Sequence, residues 1–130
     1  MVTLTEIYQL NERADFQYIA QELVDYYGLR SKVKFTSDAG VRGHYVPEND
    51  TIFLKRSYSS VKEFIISVLH EIQHAKDAKR LGRRKYSKKY DQAGTMAVHQ
   101  GKDPYWSNKW EVRAEKWGKE EYRKKWKNKF

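Results

Sequence analysis

The segment between Ser59 and Gly82 constrains the fold more than any other part of the chain. Ser59 or Ser60 can cap a helix, and Ser60 with Glu63 fits a capping box, in which a hydroxyl and a carboxylate bind free N–H groups. Gly82 stands where helices commonly end. Between these signals, apolar residues recur at the spacing of one helix face: Val61, Phe64, Ile65, Val68, Ile72 and Ala75. The pattern predicts a helix to about Leu81 with one buried face.

Shorter patterns precede this helix. Apolar residues recur at helical spacing over 12–27, which predicts an N-terminal helix ended by Gly28. Its expected buried face consists of Phe16, Ile19, Ala20, Leu23, Val24 and Tyr27. Residues 32–36 alternate between polar and apolar, as a half-buried strand does. Turn residues at 47–50 separate two further apolar runs, 41–46 and 51–54, which predicts a hairpin. We therefore expect a small sheet of about three strands, mostly antiparallel.

The remaining chain is less regular. Residues 83–105 contain Gly94, Gly101 and Pro104 after a charged start, so we expect a short helix or loop that borders a cleft. Helical spacing returns from about 107 to 127, with Ser107 or Asn108 as the cap. A length of 130 residues is enough for one modest core. Together the patterns predict a single α+β domain over residues 1–130.

Composition narrows the chemistry. The formal net charge of +9 favours association with acidic partners such as nucleic acid, although charge runs at 76–89 and 116–129 are typical of solvated helix faces. The chain has no cysteine, so a metal site must use histidines and carboxylates. The N-terminal residues do not resemble a secretory signal, and no apolar run reaches the roughly 18 residues of a membrane span. We therefore expect a cytoplasmic protein without a membrane partner.

Two histidines and a glutamate interrupt the apolar face of the predicted central helix. His70 and His74 are four residues apart, so both imidazoles project from one side and can bind one ion. Glu71 lies about 100° round the helix, where it can reach a water on the metal without binding the metal itself. Unpaired buried polar groups are costly in a core helix. The His-Glu-x-x-His pattern therefore predicts a Zn²⁺ site.

Such a site needs a third protein ligand and leaves the fourth position open. The candidates in this chain are Glu111, Glu115, His99, Asp77 and Asp91. Asp77, three residues after His74, is better placed to orient a histidine than to bind metal. Glu111 and Glu115 are four apart on a predicted helix and face one way, so one can bind the ion while the other holds an imidazole N–H.

Several segments resemble known metallopeptidases. VLHEIQHAKD resembles the active-site helix of the zincins, and NKWEVRAEKWG resembles the gluzincin segment in which alanine and an acidic residue follow a glutamate ligand. That resemblance implies Glu111 as the third ligand, Ala114 as a close helix contact and Glu115 as the partner of a ligand. GHYVPENDTIFL is similar to the hairpin before the active-site helix in ImmA/IrrE-type peptidases and minigluzincins. His99 is the alternative ligand, because HQG resembles the third-histidine segment of SprT-like DNA-associated proteases.

The resemblance implies a zinc endopeptidase with a zincin-like fold and a peptide or protein substrate. His70, His74 and Glu111 would hold Zn²⁺, and Glu71 would be the general base. A second donor to the reacting carbonyl would come from a histidine or tyrosine near the site. The candidates for that donor are His99, Tyr90, Tyr105 and His44. An extended substrate could also add to an exposed strand of the hairpin.

A nucleic-acid-associated basic zinc protein is the alternative function. Trp106, Trp110 and Trp117 lie near helical spacing, with Lys109, Lys116 and Lys119 between them. Such rings can stack on the bases of single-stranded nucleic acid. They can equally form a core stripe that fixes the last helix beside the zinc helix. We favour the core stripe, because a helix that carries a ligand must be held firmly.

Overall fold

The computed structural model describes residues 16–37 and 42–130. Within these ranges the chain forms four α-helices and one three-stranded sheet. In chain order the elements are α1 (16–26), β1 (Lys32–Phe35), β2 (Gly43–Val46), β3 (Thr51–Leu54), α2 (Val61–Leu81), α3 (Arg83–His99) and α4 (Lys109–Glu121). The α+β class is confirmed. Residues 12–15 of the predicted N-terminal helix and Val41 of the predicted second strand lie outside the described residues.

Helix α2 has the predicted bounds and occupies the centre of the fold. The Ser60 hydroxyl accepts a hydrogen bond from the backbone N–H of Glu63 at 3.1 Å, which confirms the cap. Gly82 ends the helix with a φ of 87°, a value that favours glycine. Five of the six residues of the predicted face are buried, Val61 is partly buried, and the helix contacts the sheet, α3 and α4. The helix that carries the two histidines is therefore fixed on several sides.

The sheet contains the predicted hairpin but is mixed. Strands β2 and β3 pair antiparallel, with Tyr45 opposite Ile52, across a turn at 47–50. Asp50 closes the turn in the left-handed region, and its carboxylate accepts hydrogen bonds from Tyr45 and Ser31 at 2.8 and 2.6 Å. Strand β1 pairs parallel with β3, so the strand order is β1-β3-β2. The expectation of a mostly antiparallel sheet was wrong, because residue alternation does not specify strand neighbours.

The main core lies between α1, β3 and α2. Five of the six predicted α1 residues are buried: Phe16, Ile19, Ala20, Leu23 and Val24. The Phe16 ring stacks on Phe64 with centroids 4.0 Å apart. Tyr27 is half-buried, and its hydroxyl donates to Glu121 at 2.5 Å. Its neighbour Trp126 belongs to a π-helical turn, Tyr122–Trp126, that follows α4. This contact joins the two ends of the described chain.

Helix α3 corrects the expectation of a short helix or loop over 83–105. It is a 17-residue helix that begins directly after Gly82. Only Tyr86 and Ala97 of α3 are buried, so most of the helix faces solvent. Asn108 then caps α4 by accepting from the N–H of Trp110 at 2.9 Å, and its amide donates to the Tyr90 carbonyl at 3.1 Å. The cap of α4 is thus attached to α3.

Among the described residues, no helix has the length and apolar character needed to cross a bilayer.

Candidate metal centre

Three ligand-type atoms converge where α2 faces the first turn of α4. The Nε2 atoms of His70 and His74 are 3.2 Å apart. Oε1 of Glu111 lies 2.7 Å from the first and 2.8 Å from the second. All three side chains are buried. A ligand atom of Glu71 also lies within 4.8 Å of those of the two histidines. Residues distant in sequence thus form one buried His-His-Glu cluster.

Small residues on α4 bring Glu111 close to α2. Ala114 is fully buried, one turn after Glu111. One turn further, a Cβ atom on Gly118 would lie only 3.3 Å from the backbone nitrogen of His70 and the carbonyl oxygen of Ile66. The two helix backbones therefore pass close to each other at this point. That approach places the carboxylate of Glu111 against both imidazoles.

Two tyrosines of α3 hold the outer atoms of this cluster. The Tyr86 hydroxyl lies 2.9 Å from Nδ1 of His74. The Tyr90 hydroxyl donates a hydrogen bond to the second carboxylate oxygen of Glu111. Burial raises the pKa of both tyrosines, and the hydrogen bond to Glu111 raises that of Tyr90 as well, so both keep their protons near neutral pH. The orientations of His74 and Glu111 are thus fixed by α3.

Glu115 faces the other side of His70. Its Oε2 lies 3.9 Å from Nδ1 of His70, and that nitrogen is buried without a hydrogen-bond partner among the described residues. The same carboxylate oxygen accepts a hydrogen bond from Arg42, which also lies 3.4 Å from Glu63. Arg42 therefore anchors Glu115 beside the imidazole. At 3.9 Å the carboxylate is near the imidazole but does not hydrogen-bond it.

Asp77 and His99, two other predicted candidates, do not contact the His-His-Glu cluster through a hydrogen bond. The Asp77 carboxylate is buried, yet it accepts hydrogen bonds from Arg80 and Arg113 at 3.2 and 3.3 Å. Since Nδ1 of His74 faces Tyr86, Asp77 does not orient that histidine in this structure. His99 is exposed at the end of α3 and does not line the cleft described below. The helical conformation of residues 83–99 places His99 several turns beyond Tyr86 and Tyr90.

A cleft of about 270 Å³ opens onto this cluster. Glu71, His74 and Glu111 line its floor, and Tyr105 lies at its edge. Strand β2 forms one wall, where a Cβ on Gly43 would lie 3.8 Å from the Glu71 side chain and 2.8 Å from the Phe53 carbonyl oxygen. A side chain at position 43 would clash with that carbonyl, whereas the Glu71 side chain lies at an ordinary contact distance. The arrangement leaves Glu71 buried but facing a space that a small group can enter.

Burial and neighbouring charges shift the pKa values of the two acids on the cleft floor. Burial raises the pKa of Glu71 to about 8, and the charge of Glu111 raises it as well, against the opposing effect of His70. Burial also raises the pKa of Glu111, but hydrogen bonds from His70, His74 and Tyr90 outweigh it and hold that pKa well below its usual range. Glu111 is therefore ionised, whereas Glu71 titrates near neutrality.

Comparisons of the chain with protein families, with characterised proteins and with solved structures find no match.

The donor set suits a divalent cation such as Zn²⁺. Two imidazole nitrogens and a carboxylate oxygen lie within 3.2 Å of one another, and loss of the protons from both nitrogens would free their lone pairs for an ion. A tetrahedral zinc site holds its ligand atoms roughly 3.3 Å apart, so slight expansion of the cluster would admit the ion. Nδ1 of His74 is bound to a hydroxyl, as is common for a histidine whose other nitrogen faces a metal. The residues therefore fit the ion that the sequence predicted.

The three tryptophans are divided between core and surface. Trp110 is buried beside Tyr86, and Trp117 packs against the main core with the Lys76 ammonium 4.3 Å above its ring. Trp106, by contrast, is 58% exposed. Two of the three rings thus hold α4 in place, and only Trp106 is free to stack on a ligand.

The contacts of Tyr86 and Arg42 were not predicted from the sequence. Tyr86 and Tyr90 are four residues apart and face one way on α3, but that signal requires 83–99 to be recognised as helical. Tyr90 was expected as a donor to a substrate, whereas its hydroxyl donates to Glu111. Arg42 precedes β2, and no local pattern links it to Glu115.

Proposed function

We propose that this chain is a zinc-dependent endopeptidase with a zincin-like fold. His70, His74 and Glu111 would hold the ion, and Glu71 would be the general base. The observation that carries the proposal is the convergence of the two Nε2 atoms and Oε1 of Glu111 on the floor of a cleft that Glu71 also lines. Three protein ligands with an open side are typical of catalytic zinc sites, whereas structural sites are closed by four.

Different side chains of the cleft would have different roles in peptide hydrolysis. Zinc bound here would supply a Lewis acid and lower the pKa of a water molecule towards neutrality. Glu71 would take a proton from the attacking water and deliver it to the leaving amine. The positive charge of a bound cation would lower the pKa of Glu71 from its value of about 8. Tyr105 keeps its proton, because burial and the charge of Glu111 raise its pKa, so it could donate to the carbonyl oxygen.

The sheet offers a surface for an extended substrate. Strand β2 is at one edge of the sheet, and Gly43, His44 and Tyr45 line the cleft. A peptide that adds beside β2 would form backbone hydrogen bonds and lie across Glu71. Tyr45 has its backbone N–H directed away from β3, so Tyr45→Pro should weaken peptide binding more than Tyr45→Ala does, as binding isotherms measure, while urea titrations give the two variants a similar free energy of unfolding. Equal losses of binding in the two variants would argue against this mode of binding.

Glu71→Gln tests the proposed mechanism. The amide has nearly the shape of the carboxylate but cannot accept the proton, so we expect cleavage of a casein or peptide substrate to fall at least about a hundredfold. Zinc content and thermal midpoint should stay close to those of the unmodified protein. Glu120→Gln, on the exposed face of α4, is the matched control and should keep full activity. Cleavage that survives Glu71→Gln would contradict the assigned base.

The third ligand is tested by comparing Glu111→Ala with His99→Ala. Removal of the Glu111 carboxylate leaves only two imidazoles, so we expect the zinc content of the purified protein, measured by atomic emission, to fall well below one ion per chain. His99→Ala should retain the zinc content of the unmodified protein, because that histidine is exposed at the end of α3. The opposite result would assign the third ligand to His99.

A further inference from the structure

Two hollows adjoin the proposed zinc site from different sides. The first is the cleft described above, which reaches from Glu71 and His74 to Glu48 on the turn after β2 and Asp91 on α3. The second, here called the side pocket, has a volume of about 320 Å³ and is lined by His70, Trp106, Val112, Lys116 and Lys119. Tyr105 and Glu111 line both hollows. A chain lying across the site would therefore place one part in each hollow.

The cleft has a charge opposite to that of the chain as a whole. Although the net charge is +9, the described residues that line the cleft include four carboxylates and no lysine or arginine. They are Glu48, Glu71, Asp91 and Glu111. Arg83 donates to the backbone carbonyl of Glu48 at 2.5 Å. Even with a divalent cation at the floor, the outer part of the cleft keeps the carboxylates of Glu48 and Asp91, which would attract a basic side chain.

The side pocket combines exposed apolar surface with positive charge. Trp106 and Val112 are 58% and 53% exposed, which is high for large apolar side chains. The turn that carries Trp106 is ordered by Asp103, whose carboxylate accepts from the N–H groups of Tyr105 and Trp106 at 2.8 and 2.7 Å. Lys116 and Lys119 border the pocket from α4, where Glu115 also lines it but has its carboxylate paired with Arg42. This wall can cover an apolar side chain while its lysines repel a basic one.

We propose that the substrate is a peptide with a basic residue on one side of the scissile bond and an apolar residue on the other. Glu48 and Asp91 would bind the basic side chain in the cleft. Trp106 and Val112 would cover the apolar side chain in the side pocket, and Lys116 and Lys119 would exclude basic residues there. The inference rests on the proposed function for the position of the scissile bond, but the two hollows can be tested by binding alone.

Charge reversal on each side tests the assignment. Cleavage products of a mixed peptide library, identified by mass spectrometry, should show Lys or Arg on one side of the cut and large apolar residues on the other. The double variant Glu48→Lys/Asp91→Lys should lower kcat/KM for a basic peptide by about tenfold at low salt and by less at high salt, since exposed charge pairs are screened by ions. It should leave the preference on the apolar side unchanged. Trp106→Ala should weaken only the apolar preference, and Lys116→Glu/Lys119→Glu should admit basic residues there.

Binding separates this inference from the proposed activity. Fluorescence anisotropy with labelled peptides and zinc-loaded Glu71→Gln protein should show the same dependence on the charge-reversal variants without any cleavage. Glu22→Lys on α1 and Lys102→Glu after α3, both exposed and outside the two hollows, are the matched controls. Cleavage with no preference, or preferences that ignore the charge reversals, would overturn the inference while leaving the peptidase proposal intact. A protein that binds these peptides selectively but never cleaves them would contradict the peptidase proposal and leave the inference intact.

Discussion

Individual hydroxyl groups determine how the candidate ligands are oriented. Nδ1 of His74 has the Tyr86 hydroxyl as its partner, and the outer oxygen of Glu111 has that of Tyr90. Nδ1 of His70 has only the more distant Glu115, at 3.9 Å. A histidine whose outer nitrogen is held presents its inner nitrogen in one direction, which favours metal binding. His74 is therefore the more rigid of the two imidazoles.

Removal of the Tyr86 hydroxyl should weaken zinc binding. In Tyr86→Phe the ring remains between α3 and Trp110, but Nδ1 of His74 becomes a buried polar atom without a partner. Loss of such an outer contact typically lowers metal affinity by about 10- to 100-fold. Competition with a zinc chelator of known affinity would measure the change. Tyr18→Phe, on the exposed face of α1, is the control and should leave the zinc affinity unchanged. An unaltered affinity in Tyr86→Phe would show that His74 is positioned by α2 alone.

At the scale of elements, the approach of α4 to α2 determines whether the site exists. The sequence predicts both helices and the turn that carries Glu111, but their separation depends on two small residues one turn apart, Ala114 and Gly118. The resemblance to gluzincins indicated a close contact only at Ala114. Gly118 meets the backbone of α2 directly, so it sets the distance between the helices. Glu111 reaches the histidines because no larger side chain separates the two backbones.

A larger residue at position 114 should disrupt the metal site. Ala114 is fully buried, and Ala114→Leu would insert three carbons between α2 and α4. Overpacking of this kind typically costs about 1–3 kcal/mol, and displacement of α4 would move Glu111 away from both imidazoles. We expect a lower urea midpoint together with a loss of zinc content. Glu120→Leu, on the solvent face of the same helix, should change neither quantity by much. A zinc-replete Ala114→Leu protein would mean that the size of residue 114 does not determine the position of Glu111.

Helix α3 shows where local patterns fail at this scale. Its sequence contains Gly94 in the helix interior, which costs about 1 kcal/mol relative to alanine, and only two of its residues are buried. Local propensity therefore favours an irregular segment. Contacts of Tyr86 with His74 and Trp110, and the hydrogen bond from Asn108 to the Tyr90 carbonyl, stabilise the helix instead. These contacts come from α2 and α4, so no window of the α3 sequence contains them.

At the scale of the whole molecule, the candidate site joins parts of the chain that are distant in sequence. His70 and His74 belong to α2, which packs in the main core, whereas Glu111 belongs to α4 beyond the long helix α3. An ion bound to all three residues would link these parts in the folded state only. Metal binding should therefore stabilise the protein as a unit.

Removal of metal should lower the thermal midpoint. Free zinc at about 100 times its dissociation constant would stabilise the folded state by about 2.7 kcal/mol, which corresponds to a rise of roughly 10 °C for a chain of this size. Differential scanning calorimetry of EDTA-treated protein, before and after addition of zinc, would measure the difference. Glu111→Ala should show little of this rise, since α4 then contributes no ligand. An equal rise in that variant would place the stabilising ion elsewhere.

The sequence by itself determined the elements that are specified locally. The capping residue and glycine that bound α2, the buried face of α1, the turn at 47–50 and the side-by-side placement of His70 and His74 all follow from short-range geometry. Only the tertiary structure decided the parallel pairing of β1 with β3, the helical form of α3 and the contacts of Tyr86 and Arg42. The same holds for the distance of Glu111 from the two imidazoles. The reason is that hydrogen bonds within a turn or helix depend on neighbours in sequence, whereas strand order, helix separation and the partners of buried polar atoms depend on packing between distant segments.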